Sequence, residues 1–150
     1  MTTFRIRDAV PADMAALRDV FRRSSLSNDG DRPKLLAHPE VLELSAVAVT
    51  EGRVRAAVSA GTVVGFAAWV ATSDAVELED LFVDPDQMRR GAGRALVRDV
   101  AAIASSRGAN RVEVTANQHA RAFYGKTGFV VDDYVQTTFG PGVRMHLDVT

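Results

Sequence analysis

Residues 81–96 read Leu81-Phe-Val-Asp-Pro-Asp-Gln-Met-Arg-Arg-Gly-Ala-Gly-Arg-Ala-Leu96. The apolar start is typical of a strand, Asp84-Pro85 ends it because proline cannot continue a ladder, and small residues then begin a helix. The first turn of a helix leaves backbone N–H groups without internal acceptors, and the helix dipole makes this end partly positive. Glycines let an anion approach those groups, and arginines add charge-assisted hydrogen bonds. The segment therefore predicts a phosphate or pyrophosphate site.

Spacing excludes two well-known nucleotide motifs. A dinucleotide fingerprint would need a third glycine at position 96, which is Leu96. A Walker A loop is suggested by Gly125-Lys126-Thr127, but the glycine required five residues earlier is Ala120. A solvated basic turn capped by glycine stays open as the alternative to a phosphate site.

Hydrophobic periodicity outside this segment predicts a mixed chain of strands and helices. Strands are predicted over residues 4–7, 53–60, 62–72, 75–83, 111–115, 129–135 and 143–149. Helices are predicted over residues 11–23, 34–45, 91–107 and 117–127. The pair Ala60-Gly61 between two strands is a hairpin signal. No repeat or linker divides the sequence, so we expect one domain over residues 1–150.

The composition excludes several classes of function. The chain has 150 residues and no cysteine, so a disulfide, a thiolate zinc site and a cysteine nucleophile are ruled out. Its 18 basic and 19 acidic residues give a net charge of −1, without the basic footprint of a nucleic-acid binder. We see no signal peptide and no apolar stretch of about 20 residues, so we expect a soluble cytoplasmic protein that does not bind membranes.

A second segment, taken together with the first, allows a more specific interpretation. It reads Ala116-Asn-Gln-His-Ala-Arg-Ala-Phe-Tyr-Gly-Lys-Thr-Gly-Phe129. With residues 88–93, it resembles the GNAT superfamily of N-acetyltransferases, whose first signature is arginine or glutamine, two variable residues, glycine, one variable residue and glycine or alanine. The second signature is matched at Asn117, Ala120, Phe123, Tyr124, Gly128 and Phe129. The order of strands and helices is similar along nearly the whole chain.

The resemblance implies an α/β (α+β) GNAT-like fold. Its central sheet is mixed, mostly antiparallel and twisted, with about seven strands, about four flanking helices and a splayed parallel strand pair. The chain departs from the family pattern at four positions. Met88 stands where arginine or glutamine is usual, Ala92 replaces a larger aliphatic residue, and Gly125 and Thr127 replace glutamate and leucine.

The resemblance also implies acetyl-CoA as the co-substrate, held between the strands at residues 75–83 and 111–115. Backbone groups of Leu81, Phe82 and Val83 would pair with the pantetheine arm, and the Leu81 amide would face the thioester oxygen. Asn117 would hydrogen-bond the same arm. The pyrophosphate would be held by Met88, Arg89, Arg90, Gly91, Ala92, Gly93 and Arg94.

Acetylation of an amine needs a neutral nitrogen to attack and a proton for the leaving thiolate. Tyr124 is the acid implied by the resemblance; the alternative is that its ring only packs beside neighbouring aromatic residues. Glu77 and Glu79 lie two apart on a strand and so share a face, from which either could relay a proton. The alternative for both is a solvated strand face. The three histidines show no ligand spacing, so no metal is expected.

The resemblance therefore implies a GNAT-type N-acetyltransferase that moves an acetyl group from acetyl-CoA to a primary amine by direct attack in a ternary complex. The expected partner is a small-molecule or peptide amine, bound by residues 24–44 and 134–144, where Asn28, Asp29 and Asp31 would suit a cation. Open alternatives are a longer acyl-CoA, a protein amine, or a non-catalytic CoA-binding sensor or partner module. A homodimer is also open.

Overall fold

The computed structural model describes residues 4–26, 46–87, 90–137 and 140–149. The strands are β1 Arg5–Asp8, β2 Val54–Ser59, β3 Thr62–Ala71, β4 Ala75–Val83, β5 Arg111–Asn117, β6 Val130–Thr137 and β7 Gly140–Asp148. The α-helices in these ranges are α1 Met14–Leu26, α2 Ala46–Thr50, α3 Ala92–Ser106 and α4 Arg121–Lys126. Across the described ranges, no helix combines the length and apolar character needed to cross a bilayer.

All seven strands belong to one sheet in the order β1-β2-β3-β4-β5-β7-β6. Strands β4 and β5 are parallel, whereas β1–β2, β2–β3, β5–β7 and β6–β7 are antiparallel. The last strand therefore lies between β5 and β6. The expected mixed, mostly antiparallel sheet of about seven strands is confirmed.

The chain divides into two compact units, and the first consists of Met1–Ala68 and Asp80–Leu96. Helix α1 supplies much of its core, because Leu17 and Val20 are buried at helical spacing. Phe21, on the same face, stacks against Phe82 at 4.7 Å and Phe66 at 6.5 Å between ring centroids. Burial of each such side chain contributes roughly 1.5–3 kcal/mol, which holds α1 on the sheet.

The hairpin between β2 and β3 turns at the two residues that its sequence signal predicts. Ala60 has φ 50° and Gly61 has φ 80°. Positive φ at both central residues is the type I′ geometry, whose twist matches the flanking strands. Ser59 and Thr62 close the turn as the last paired residues.

The second unit consists of Trp69–Glu79 and Val97–Thr150. Buried positions alternate along its strands, as expected when one face of a sheet is covered. They are Val76 and Leu78 of β4, Val112, Val114 and Ala116 of β5, and Val143 and Met145 of β7. The residues between them carry polar side chains, and this polar face includes the proposed acid–base residues of β4.

Several sequence predictions need correction at element boundaries. The helix predicted over residues 11–23 is a 3-10 turn at Pro11–Asp13 followed by α1 Met14–Leu26. The helix predicted from residue 117 begins at Arg121, because Asn117 ends β5 and its Oδ1 accepts the Ala120 N–H at 2.8 Å. Strand β5 ends at Asn117 rather than at residue 115, since its pairing with β7 continues to Asn117↔Gly142. Strand β7 begins at Gly140 rather than at residue 143. The helix predicted over residues 34–45 lies outside the described residues.

Asp13 organises the entry into α1. Its carboxylate accepts a bidentate contact from Arg7 at 2.8 and 3.0 Å and the Val10 N–H at 2.8 Å. The Arg7 hydrogen bonds, against a smaller opposing effect of burial, hold the pKa of Asp13 below its ordinary value. The carboxylate thus stabilises the fold mainly in its ionised form.

We expect Asp13→Asn to lower the free energy of unfolding by about 1–2 kcal/mol near neutral pH. Because the pKa of Asp13 is lower in the folded state, this stabilisation is complete above the ordinary carboxyl pKa and disappears as the pH falls through the lowered value. Urea unfolding at about pH 7 and about pH 3 measures it. Asp19→Asn, at an exposed site 3.6 Å from Arg23, is the control. An equal loss at both pH values would contradict the prediction.

Candidate functional site

The parallel pair β4–β5 is hydrogen-bonded over only part of its length. Its ladder ends at Leu78↔Val114, whereas β4 continues to Val83 and β5 to Asn117. Strand β5 keeps its pairing with β7 as far as Asn117↔Gly142. The ladder thus ends before either strand does, as expected of a splayed pair.

The end of β4, in the first unit, has a backbone edge that points away from β3. The Phe82 carbonyl oxygen lies 3.0 Å from the place that a Cβ on Gly65 of β3 would occupy. The Asp84 N–H donates to the Val64 carbonyl of β3 at 2.8 Å. Since the peptide units are trans, the N–H and C=O of Val83 both point to the opposite side. That edge suits an extended ligand that pairs like a strand.

Gly65 is a residue that sequence reasoning missed. A side chain there would meet the Phe82 carbonyl at 3.0 Å and side-chain atoms of Val83 and Leu96 at 3.4 Å. Because the nearest of these atoms is backbone, a side chain at position 65 would push β4 away from β3 by a few tenths of an ångström. A glycine inside an apolar strand pattern was the available signal.

Gly91 caps helix α3. It has φ +94°, a left-handed conformation that favours glycine, and its carbonyl accepts the Ala95 N–H at 2.9 Å. Ala92 begins the helix and is buried, and Gly93 follows. The N–H groups of this first turn have no acceptor within the helix itself. The predicted glycine-rich strand-to-helix turn is therefore present.

Two exposed arginines lie at the start of α3. Arg90 precedes the helix, and Arg94 follows four residues later in its first turn. Arg98 is exposed one turn further along the same side of the helix. The charges of Arg90 and Arg94 add to the partly positive helix end, so this surface suits a diphosphate. Met88 and Arg89, also predicted for this role, lie outside the described residues.

Arg23 of α1 braces the turn that leads toward this helix. Its guanidinium donates to Asp84 at 2.6 Å and to Asp86 at 2.8 Å. The Asp86 N–H in turn donates to Asp84 Oδ1 at 2.9 Å. The Asp84 carboxylate is the main reason that the pKa of Arg23 is raised. Sequence reasoning found the turn but not its brace, which comes from a distant helix.

Tyr124, in the second unit, is held in a fixed aromatic cluster. It is 6% exposed, and its ring meets Phe123 and Phe129 edge-to-face at 5.2 Å each. Its backbone carbonyl accepts the Thr127 hydroxyl at 2.7 Å and the Phe129 N–H at 3.1 Å. The aromatic packing expected as the alternative role of Tyr124 is thus observed. Asn117 is exposed at the end of β5.

Glu77 and Glu79 share one face of β4, as their spacing predicts, but their surroundings differ. Glu79 is exposed, whereas the Glu77 side chain is only 25% exposed. Arg144 of β7 contacts both Glu77 carboxylate oxygens, at 2.7 and 3.1 Å. The same guanidinium donates to Glu113 at 2.6 Å and to the Thr115 hydroxyl at 2.8 Å.

This ion-pair group was missed by sequence reasoning. Arg111 completes it by donating to Glu113 at 2.8 Å. That contact is the main reason that the pKa of Glu113 is lowered, and the hydrogen bond with Glu77 is the main reason that the pKa of Arg144 is raised. Charged residues two apart in β5 signal a polar face, but only the pairing of β7 with β5 brings Arg144 to it.

The other singled-out residues are dispersed. His119 is exposed in the turn before α4, and the Asp132 carboxylate lies 2.7 Å from Nδ1 of His146. Among the described residues, no group of three or more metal-ligating side chains could hold an ion. Trp69 is buried with the Arg107 guanidinium 5.3 Å from its ring centroid. Residues 28, 29 and 31 lie outside the described ranges.

The family model of the GNAT acetyltransferases matches residues 15–129, which contain both signature segments. The chain belongs to the GNAT family. Curated relatives include an uncharacterized N-acetyltransferase of Mycobacterium tuberculosis (strain ATCC 25618 / H37Rv), 40% identical over 76 residues. That match covers 48% of this chain and 49% of the relative, so the chain spans about half the length of the curated relatives it matches.

Solved GNAT structures share the fold over nearly the whole chain. The PaiA N-acetyltransferase of Thermoplasma acidophilum, in complex with coenzyme A, has a TM-score of 0.80 at 18% identity and covers 97% of this chain and 99% of its own. A GCN5-related N-acetyltransferase from Rhodopseudomonas palustris has a TM-score of 0.80 at 24% identity, covering 99% and 98%. At these identities the likeness establishes the GNAT fold.

Proposed function

We propose that this protein transfers an acetyl group from acetyl-CoA to the primary amine of a small molecule or a peptide, as a single GNAT domain over residues 1–150. The observation that carries the proposal is strand β4, whose edge at Val83 points away from β3 shortly before the turn to the Gly91-capped helix. A strand edge followed by a basic helix start suits a ligand that has an extended arm ending in a diphosphate. Coenzyme A has this form, and it is the ligand of the Thermoplasma acidophilum protein.

Each predicted cofactor residue then has a specific role. The backbone of Leu81, Phe82 and Val83 forms the strand edge for the pantetheine arm, with the Val83 N–H and C=O directed at the arm and the Phe82 carbonyl directed at β3. The Asn117 side chain hydrogen-bonds the same arm. The diphosphate is bound by Met88, Arg89, Arg90, Gly91, Ala92, Gly93 and Arg94. The exposed arginines and the glycines of the described part of this loop support the assignment, because they combine positive charge with close access to backbone N–H groups.

The proposed reaction uses one backbone amide and the side chains of a tyrosine and two glutamates. The neutral amine nitrogen attacks the thioester carbon, the Leu81 amide donates to the oxygen that gains negative charge, and the C–S bond then breaks. Tyr124 donates a proton to the leaving sulfur and regains one, through water, from the nitrogen that has just been acylated. Glu77 or Glu79, directly or through water, takes the proton that the ammonium group loses. The chain has no cysteine, so the acetyl group passes to the amine without a cysteine-bound intermediate.

Acetyl-CoA at about 100 times its dissociation constant should raise the free energy of unfolding by about 2.7 kcal/mol, because a ligand that binds only the folded state stabilises it by mass action. Thermal unfolding with increasing acetyl-CoA measures this. S-Acetylpantetheine, which keeps the thioester arm but lacks the phosphates and the adenosine, is the control and should stabilise less at the same concentration. An unchanged melting temperature at saturating acetyl-CoA would disprove the cofactor assignment.

A turnover screen tests the transfer itself. Free thiol release is followed with acetyl-CoA and a panel of polyamines, amino acids, aminoglycosides and peptide N-termini, and longer acyl-CoA donors are run beside acetyl-CoA. Amine-dependent thiol release supports the proposal and identifies the acceptor class. Tight acetyl-CoA binding without turnover on any amine would instead indicate a CoA-binding sensor or partner module.

A further inference from the structure

Arg144 connects side chains from two strands other than its own. It lies opposite Thr115 in the β5–β7 register, and its guanidinium extends past β5 to Glu77 of β4. The two contacts at 2.7 and 3.1 Å join both terminal nitrogens of the arginine to both oxygens of the carboxylate. Such a planar bidentate pair fixes orientation as well as distance, which a lysine at the same place would not do.

Arg144 also offsets the repulsion between two neighbouring carboxylates. Glu77 and Glu113 are direct neighbours in the parallel β4–β5 register, and like charges at such positions destabilise a sheet. The Arg144 nitrogen that contacts one Glu77 oxygen also donates to Glu113 at 2.6 Å. One guanidinium therefore bridges the two carboxylates and keeps them side by side.

The bridge lies where the β4–β5 ladder ends. The last hydrogen-bonded pair of this ladder is Leu78↔Val114, and Glu77↔Glu113 directly precedes it. Thr115 is the first residue of β5 beyond the ladder. Arg144 contacts a residue on each side of this last pair. Its side chain is 30% exposed and that of Glu77 25%, so solvent and salt screen the pair less than they screen a fully exposed one.

We propose that Arg144 is a positioning residue of the acetyl transfer, which fixes the Glu77 carboxylate at the end of the β4–β5 ladder so that it orients the acceptor ammonium group. The inference rests on the function proposed above. A carboxylate has about four lone-pair sites, so Glu77 held by Arg144 can still accept hydrogen bonds from an ammonium group. Glu79, exposed on the same face, then accepts the proton that the amine loses.

Kinetics of matched variants test this role. Arg144→Gln should lower kcat roughly 10- to 100-fold while the Kd for acetyl-CoA stays within about two-fold. Arg111→Gln is the control, because it removes the other arginine that contacts Glu113 and leaves the pair with Glu77 intact. It should keep kcat within about two-fold of wild type. Arg144→Lys, which keeps the charge without the bidentate geometry, should recover part of the kcat.

A double variant separates positioning from general stabilisation. If Arg144 acts through Glu77, Arg144→Gln combined with Glu77→Gln should be no slower than Glu77→Gln alone. The inference would be overturned if the kcat of the double variant fell by the product of the two single-variant losses. A wild-type kcat in Arg144→Gln would also overturn it. Should Arg144→Gln fail to fold, Arg144→Lys and Glu77→Gln decide, since full activity in either one overturns it. A wild-type protein without turnover on the amine panel would instead overturn the proposed function, and this inference with it.

Discussion

Tyr124→Phe is expected to lower kcat about 100-fold and to leave the Kd for acetyl-CoA within about two-fold of wild type. The substitution removes only the hydroxyl, which the proposed reaction uses to protonate the leaving sulfur. The ring, 6% exposed and packed edge-to-face on Phe123 and Phe129, keeps its contacts. Steady-state kinetics with acetyl-CoA and the amine found in the screen measure kcat, and thermal shifts measure the affinity.

Phe123→Leu is the matched control for Tyr124→Phe. It removes one of the two aromatic neighbours, whose centroid lies 5.2 Å from that of Tyr124, but retains the hydroxyl. We expect this variant to lose more thermal stability than Tyr124→Phe and much less kcat. Turnover unchanged in Tyr124→Phe would mean that the tyrosine acts by packing alone, and the proton for the sulfur would have to come from another group.

Features encoded by neighbouring residues could be predicted from the sequence. The hairpin at Ala60-Gly61, the end of β4 before Pro85 and the glycine cap of α3 each depend on the backbone preferences of one or two residues. The local motif around Gly91 therefore predicted the glycine-capped start of α3 correctly. Its ligand remains a prediction.

Helix α2 shows why other elements escape prediction. Its sequence Ala46-Val-Ala-Val-Thr50 contains three β-branched residues, which lose side-chain freedom in a helix and favour strands. A helix this short is not stable by itself. Val49 is buried in the core cluster of the first unit, so tertiary packing overrides the local preference. The local sequence of α2 does not show that Val49 will be buried by residues distant in the chain.

The arginine that contacts the candidate acid–base face escaped prediction for a different reason. Glu77 and Glu79 could be placed on one face by strand alternation, but the partner of Glu77 comes from residue 144. Their contact depends on β7 lying beside β5, a pairing between distant segments that no local pattern encodes. The same holds for Arg23 and its contact with Asp84.

Gly91→Asp should raise the Kd for acetyl-CoA about 100-fold, a loss of about 2.7 kcal/mol in binding free energy. Gly91 caps α3 with φ +94°, so the new carboxylate would lie beside the first-turn N–H groups. Aspartate is a favoured N-cap, and its carboxylate would occupy the donors that the diphosphate needs while also repelling it. Isothermal titration with acetyl-CoA measures the change.

Gly91→Asn separates charge from shape in this experiment. Asparagine has nearly the same size, also caps helices and adopts positive φ about as readily, so backbone strain is shared between the two variants. Within the described part of the chain and beyond the two neighbours of Gly91, the nearest atom to a Cβ there is Phe4 Cε2 at 3.9 Å, an ordinary van der Waals contact for either variant. We expect Gly91→Asn to weaken acetyl-CoA binding about ten-fold less than Gly91→Asp, and the difference to shrink as salt is added, because it is electrostatic. Equal affinities for the two variants would place the diphosphate away from the start of α3.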